Sequence, residues 1–411
     1  MAALLLAATA CGGDDDTPAA EPAVPSSDEV TRLLGPENPA SGEPVRIGLV
    51  SDGRSPAFDA RLEIRAAQAT ADYWNDRMGG IGGRPIEMVT CETGADPAKG
   101  TDCANQMVEE GVAAVAIGQS SVPDAIWGAL HDAGIPTMFF QTNGEQINED
   151  ATTSFVLANP VAVAFGLPVS VAEDTGGAKV GFVVLDVPVA TSLFESTAPP
   201  VMENAGLDWE LVRVPPGTAD MTAQMQELVA NGVDVVEVVG YDAFCIAAFQ
   251  GLAAVGYTGE ITAVSQCITD ATREAIPSDQ LEGIYITSAV ALGATDDPTF
   301  QRYEAVMTAY GEDIDVDDNL AMVGYSVMAS LATPLAGITG DVTPAAVTQA
   351  IKAMPAQPIP GGGGVEFRCG GSAMISSPAV CSNGWLRAAL DGDGRPSGYE
   401  AVDSTDILAG L

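Results

Sequence analysis

Short, unbroken runs of Val, Ile, Ala and Gly recur along this chain, separated by stretches with helical spacing. The runs fall at Val45–Val50, Ile86–Thr90, Ala113–Ile117, Thr137–Phe140, Val180–Leu185, Leu211–Val214, Val233–Val239 and Ile261–Val264. Strands that are apolar at successive positions are buried on both faces, as happens in parallel sheets covered by crossover helices. In the first helical stretch Ile64, Ala67, Ala71, Trp74 and Met78 recur at steps of three and four, and the pattern stops at Gly79-Gly80. The spacing predicts an α/β fold built from doubly wound parallel sheets.

The order of elements predicts two such Rossmann-like units, roughly residues 45–158 and 159–288. After that the alternation breaks. Two helical patterns, Pro298–Tyr310 and Asn319–Ala336, follow one another with no apolar strand between them, so residues 289–360 are expected to return to the first unit. Residues 361–411 then return to the second, through PIPGGGGVEF, whose glycines suit a mobile crossing segment.

The N-terminus opens with MAALLLAATAC, an apolar run of about half the ~20 residues needed to span a bilayer. It has the form of a signal-peptide core that ends in small residues before Cys11, similar to a bacterial lipobox, with Cys11 as the lipid carrier. Ala8 stands where leucine is usual and no basic residue precedes the run, as if translation began further upstream. Residues 12–44, rich in Pro, Ala, Ser and acids, are expected to be a disordered tether.

Fifty-six acidic residues against sixteen basic ones give a net charge of −40, which excludes nucleic acid and anionic lipid surfaces as partners. Seven cysteines become six once Cys11 is set aside. Six can pair completely in an oxidising compartment, and of about fifteen connectivities the neighbours Cys91–Cys103, Cys245–Cys267 and Cys369–Cys381 are the expectation. Zinc has no C-x-x-C pair or His cluster to support it.

Four stretches resemble the branched-chain amino-acid-binding family of solute receptors of ABC importers: AAQATADYWNDRMGGIGGRPIEM, VAAVAIGQSS, AGIPTMFFQTN and GVDVVEVVGYDAFCIAAFQGLAAVGYTGEI. The resemblance spans about residues 45–400. It implies the type I periplasmic binding protein fold, two domains joined by a three-segment hinge near 157–160, 288–292 and 361–385, and a ligand held between them. It further implies a small-molecule ligand, a membrane permease as partner, a monomer touching the membrane only through its lipid, and no cofactor. Carried over by position, it places Ser120, with Ser121 as second choice, on a polar or anionic ligand group, Phe140 and Thr142 on backbone and hydroxyl contacts, and Tyr241 and Phe58 as aromatic walls. Where amino-acid receptors hold an acid against the ligand ammonium, this chain has Gln266, and where a tyrosine is common it has Val189. A buried ammonium without a carboxylate is costly, so the expected ligand shifts from an α-amino acid toward an amide, a carboxylate or another small polar metabolite, unless Asp270 or Asp242 supplies the charge.

Other chemistries fit less well. GQSSV imitates a nucleophile elbow without its last glycine, and the chain's one histidine, His131, falls in the helical pattern Asp124–Ala133, so a secreted hydrolase using Ser120 ranks below a receptor. GGIGGR precedes a strand, which fails the dinucleotide fingerprint. LDGDGRPSGYE lacks calcium ligands at its fifth and twelfth positions and reads as a hairpin turn after WLRAAL. A sensory receptor of the same fold, without transport, is the remaining alternative.

Overall fold

The computed structural model describes residues 27–55 and 59–410. Cys11 and Phe58 lie outside them. The eight predicted apolar runs all form strands, within a residue or two at most ends. A five-stranded parallel sheet contains β1 (Val45–Ser51), β2 (Ile86–Glu92), β3 (Ala114–Ile117), β4 (Thr137–Phe139) and β5 (Ser154–Val156), in the order 2-1-3-4-5. The second sheet repeats that order in its parallel part: β6 (Lys179–Leu185), β7 (Asp208–Val214), β8 (Val235–Val239), β9 (Glu260–Val264) and β10 (Tyr285–Ser288) lie as 7-6-8-9-10. β11 (Gln357–Pro358) and β12 (Glu366–Phe367) form a small separate hairpin. β13 (Gly384–Leu390) and β14 (Pro396–Asp403) add an antiparallel hairpin to the β10 edge.

Burial explains both the strands found and those missed. β3 is buried at every position, and β1 at all but Arg46. β5 and β10 are three and four residues long and carry Ser or Thr, so neither makes an apolar run, yet both are well buried.

The helix Arg61–Tyr73 continues into a π-helical turn, Trp74–Met78, and ends at Gly79 with φ +77°. Its packed face differs from the expected one, because Met78 is exposed while Glu63 and Thr70 are buried. The helices Pro298–Tyr310 and Asn319–Leu335 pack against it, which returns the chain to the first sheet. The approach is close at Gly324, where a Cβ would lie 2.4 Å from the Glu63 carbonyl oxygen.

The expected tether also differs. Residues Ser27–Leu34 form a helix, Leu34 is buried, and the Leu34 carbonyl accepts the Tyr73 hydroxyl at 3.2 Å. Leucines at 33 and 34 join the core, which outweighs the polar composition around them.

The chain crosses between the sheets three times. Leu157–Asn159 connects β5 to the helix Pro160–Thr175, which covers the second sheet, and a second crossing follows β10. The third lies near residue 382, because Val380 still bridges to Val156 of the first sheet before β13 begins. Hydrogen bonds tie the crossings together: Asn159 Nδ2 donates to Asn383 Oδ1 at 2.9 Å, and the Ala291 N–H donates to the Gly361 carbonyl at 2.8 Å.

Disulfides join Cys91 to Cys103, Cys245 to Cys267 and Cys369 to Cys381. The Cys245–Cys267 bond ties the helix Asp242–Ala254 to the turn after β9. Replacing both cysteines by Ala is expected to lower the unfolding free energy by about 3 kcal/mol. Chemical denaturation checks this, and reductant should then have less effect on the variant than on the parent.

Candidate functional site

A cavity of about 280 Å³ opens where the carboxyl ends of both sheets' strands meet. In sheets of order 2-1-3-4-5, ligands bind beyond those ends, beside the point where strand order reverses. Gln119 follows β3, and Phe140, Gln141 and Asn143 follow β4. From the second sheet come Leu185 at the end of β6 and Val187 beyond it, Val239 at the end of β8 and Gly240 beyond it, Val264 at the end of β9 with Ser265 and Gln266 beyond it, and Thr287 to Val290 at the end of β10. The first two turns of helices complete the wall: Pro160, Val163 and Ala164 of one, Ala190, Leu193 and Phe194 of another, and Asn319 of a third. Among the described residues that line the cavity, none is Asp, Glu, Lys, Arg or His.

Two buried acids stand behind the loop after β3 and hold its backbone. Glu63 Oε1 accepts the Gly118 N–H at 3.2 Å and Oε2 the Gln119 N–H at 3.1 Å. Burial pushes the Glu63 carboxyl up to about 8 in spite of these bonds, which favour its ionised form. Asp52 accepts the Thr93 hydroxyl at 2.7 Å and the Ser121 N–H at 2.7 Å. Both acids are committed to the scaffold that shapes the loop.

Of the residues singled out from sequence, Phe140 and Gln266 line the cavity. Ser120, Ser121, Thr142 and Tyr241 do not. The Ser120 hydroxyl accepts the Val122 N–H at 3.1 Å, and the Thr142 hydroxyl accepts the Gly144 N–H at 3.1 Å, so both serve turns of their own loops. Ser121 is exposed and meets Asp52 through its backbone. Tyr241 precedes the helix Asp242–Ala254 in extended conformation with its side chain 47% exposed, and Gly240 faces the cavity instead. Asp242 accepts the Ala243 N–H, Asp270 pairs with Arg273, and neither lines the cavity. Val189 lies in the first turn of the helix Pro188–Ala205.

The hydrolase alternative loses its base. His131 stacks on Trp127, with ring centroids 4.5 Å apart, and its Nδ1 lies 3.2 Å from the Thr153 hydroxyl and 3.4 Å from Asp150. The Ser120 hydroxyl instead accepts the Val122 N–H. Among the described residues no group of three or more His, Cys, Asp or Glu is placed to hold a metal ion.

Gln119, Gln141 and Asn143 were adjacent to residues singled out from sequence, displaced by one position. The helix Pro188–Ala205 had a readable signal: Val187, Ala190, Leu193 and Phe194 are spaced by three, three and one, a single helical stripe, and all four line the cavity.

Comparison with known proteins agrees with this architecture. The sequence model of the periplasmic binding protein family matches residues 44–378. No functionally curated protein sequence matches the chain. Similar solved structures include an ABC transporter substrate-binding protein from Sphaerobacter thermophilus (19% identity, TM-score 0.69, covering 89% of this chain and all of that one). Another is the branched-chain amino acid transporter substrate-binding protein LivJ from Streptococcus pneumoniae in complex with isoleucine (15%, 0.65, 88% and 100%). A third is a solute-binding protein from R. palustris in complex with 4-hydroxybenzoate (18%, 0.68, 88% and 98%). With four fifths of its length matched by the family and both sheets in the order that places a cavity between them, the chain belongs to the periplasmic binding protein family.

Proposed function

We propose that this protein is an extracytoplasmic solute receptor of an ABC importer, which captures a small molecule between two lobes and presents the closed form to a membrane permease. The observation that carries this is the cavity itself, walled by both sheets and reached by a chain that crosses between them three times. Such crossings allow the two walls to close like a hinge, with residues 45–158 and 289–381 in one lobe and 159–288 and 382–411 in the other, the return to the second lobe falling near 382 and not at the expected 361. Cys11 is proposed to carry the lipid that anchors the receptor, which acts as a monomer. No helix among the described residues is long and apolar enough to cross a membrane. The three disulfides fit an oxidising compartment.

The test is retention of a solute. The dialysed protein is equilibrated with a small-molecule extract of the source culture, washed and denatured, and the released compounds are identified by mass spectrometry. A receptor releases one compound in near-stoichiometric amount, unchanged, and that compound at 100 times its dissociation constant raises stability by about 2.7 kcal/mol. Release of nothing, or of a hydrolysed product, sinks the proposal.

A further inference from the structure

The cavity's chemistry narrows the ligand, on the premise that the receptor function above holds. Fifty-six acids and sixteen bases are distributed over this chain, yet none of them is among the described residues that line the cavity. Its depth is apolar: Ala164 and Phe194 are buried, and Val163, Leu185, Leu193 and Val239 are partly buried beside them. Its exposed members are amides, namely Asn143, Gln266 and Asn319, with Gln119 and Gln141 half-buried. The remaining hydroxyls at the β10 end are occupied, since Thr287 donates to the Val163 carbonyl at 3.0 Å and Ser288 to the Val290 carbonyl at 2.7 Å.

An ionised group entering this space loses hydration and meets no opposite charge. An ammonium finds no carboxylate there, because Asp52, Glu63, Asp242 and Asp270 are all bound elsewhere. A carboxylate finds no Arg or Lys among the described residues of the wall. Two of the helix N-termini that reach the cavity are already capped, one by Asn159 and the other by Asp318, whose own charge opposes an anion. Amide side chains both donate and accept, so they match a neutral carbonyl, amide or hydroxyl without a charge. The volume lies just under the roughly 300–1,000 Å³ of drug-sized pockets, which calls for a compact molecule.

We infer that the cavity binds an uncharged, compact, mainly apolar ligand whose one hydrogen-bonding end meets the amides of Gln119, Gln141, Asn143 and Gln266. The inference is tested by calorimetry at neutral pH with two matched sets: benzamide, benzoate and phenylalanine, and 4-methylpentanamide, 4-methylpentanoate and leucine. Each amide is expected to bind at least tenfold more tightly than its charged counterparts. Ala190→Asp places a carboxylate on the wall in the first turn of a helix, where an acid suits the helix dipole, so the fold should persist. It is expected to weaken amide binding at least tenfold, with circular dichroism unchanged. Charged members that bind as tightly as their amides overturn the inference and leave the receptor function standing, as does amide binding indifferent to Ala190→Asp. Absence of binding by the amides also overturns it, and the receptor function falls with it only if the extract experiment likewise retains nothing.

Discussion

Glu237→Met is expected to stabilise the protein by several kcal/mol at about pH 8.5 and by far less at about pH 5. Glu237 sits in the middle of β8, with Val on either side, and is 0% exposed. Neither of its carboxyl oxygens has a hydrogen-bond partner, and the hydroxyl of Thr262, opposite it on β9, donates to the Val236 carbonyl at 3.3 Å. Burial pushes the carboxyl from its ordinary 4.5 up to about 8. The sign follows from linkage: below the unfolded value the group is protonated in both states and costs nothing through ionisation. Between the two values the unfolded chain releases the proton while the folded one keeps it, so stability falls as pH rises, by about 1.4 kcal/mol per unit, and the loss is complete above the folded value. The full effect is on the order of 5 kcal/mol. Glu63 is pushed the same way, so the parent protein should lose stability across this window from two groups, and the difference between parent and variant isolates Glu237. Urea denaturation at the two pH values measures it. An equal gain at both would mean that Glu237 is ionised in the folded protein.

The same strand shows what the sequence made legible. VVEVV is apolar enough to be read as a buried strand, and its glutamate did not disturb that, because pattern alone carries no information on what a lone acid meets inside. The eight apolar strands were legible because parallel strands buried on two faces need continuous apolar runs, whereas the crossings were expected from the family resemblance. β5 and β10 were not, since tertiary burial by the third crossing and by β13 makes strands of segments too short and polar to show a period. The helix Ser27–Leu34 was hidden by its acidic and prolyl surroundings. For the cavity, the sequence pointed to loops that reach it, often through a residue next to the one that lines it. A turn that consumes the Ser120 or Thr142 hydroxyl rotates its neighbour, Gln119 or Asn143, toward the cavity, and such a rotation is set by backbone hydrogen bonds that no motif records. Gln266 was legible because one neutral residue stood where a related receptor needs an acid.

Phe194→Ala is expected to lower the unfolding free energy by about 3–5 kcal/mol and to weaken binding of any compact ligand in the cavity. Phe194 is 1% exposed and joins two structures at once. Its ring packs 4.9 Å from Phe165 and 5.1 Å from Phe182, centroid to centroid, in the core beneath the helix Pro188–Ala205, and it also forms part of the cavity wall. Truncation removes the transfer free energy of the ring and leaves a void that the flanking phenylalanines, held at 5.5 Å from one another, cannot close. That void opens into the ligand cavity, so a small ligand loses contacts on one side and gains room to move. Phe194→Leu restores most of the volume and should recover more than half of both losses. Denaturation midpoints and calorimetric affinities for the same ligand check the two effects together. A variant as stable as the parent would show that the ring is not packed in this core, and normal affinity in a destabilised variant would place the ligand away from this wall.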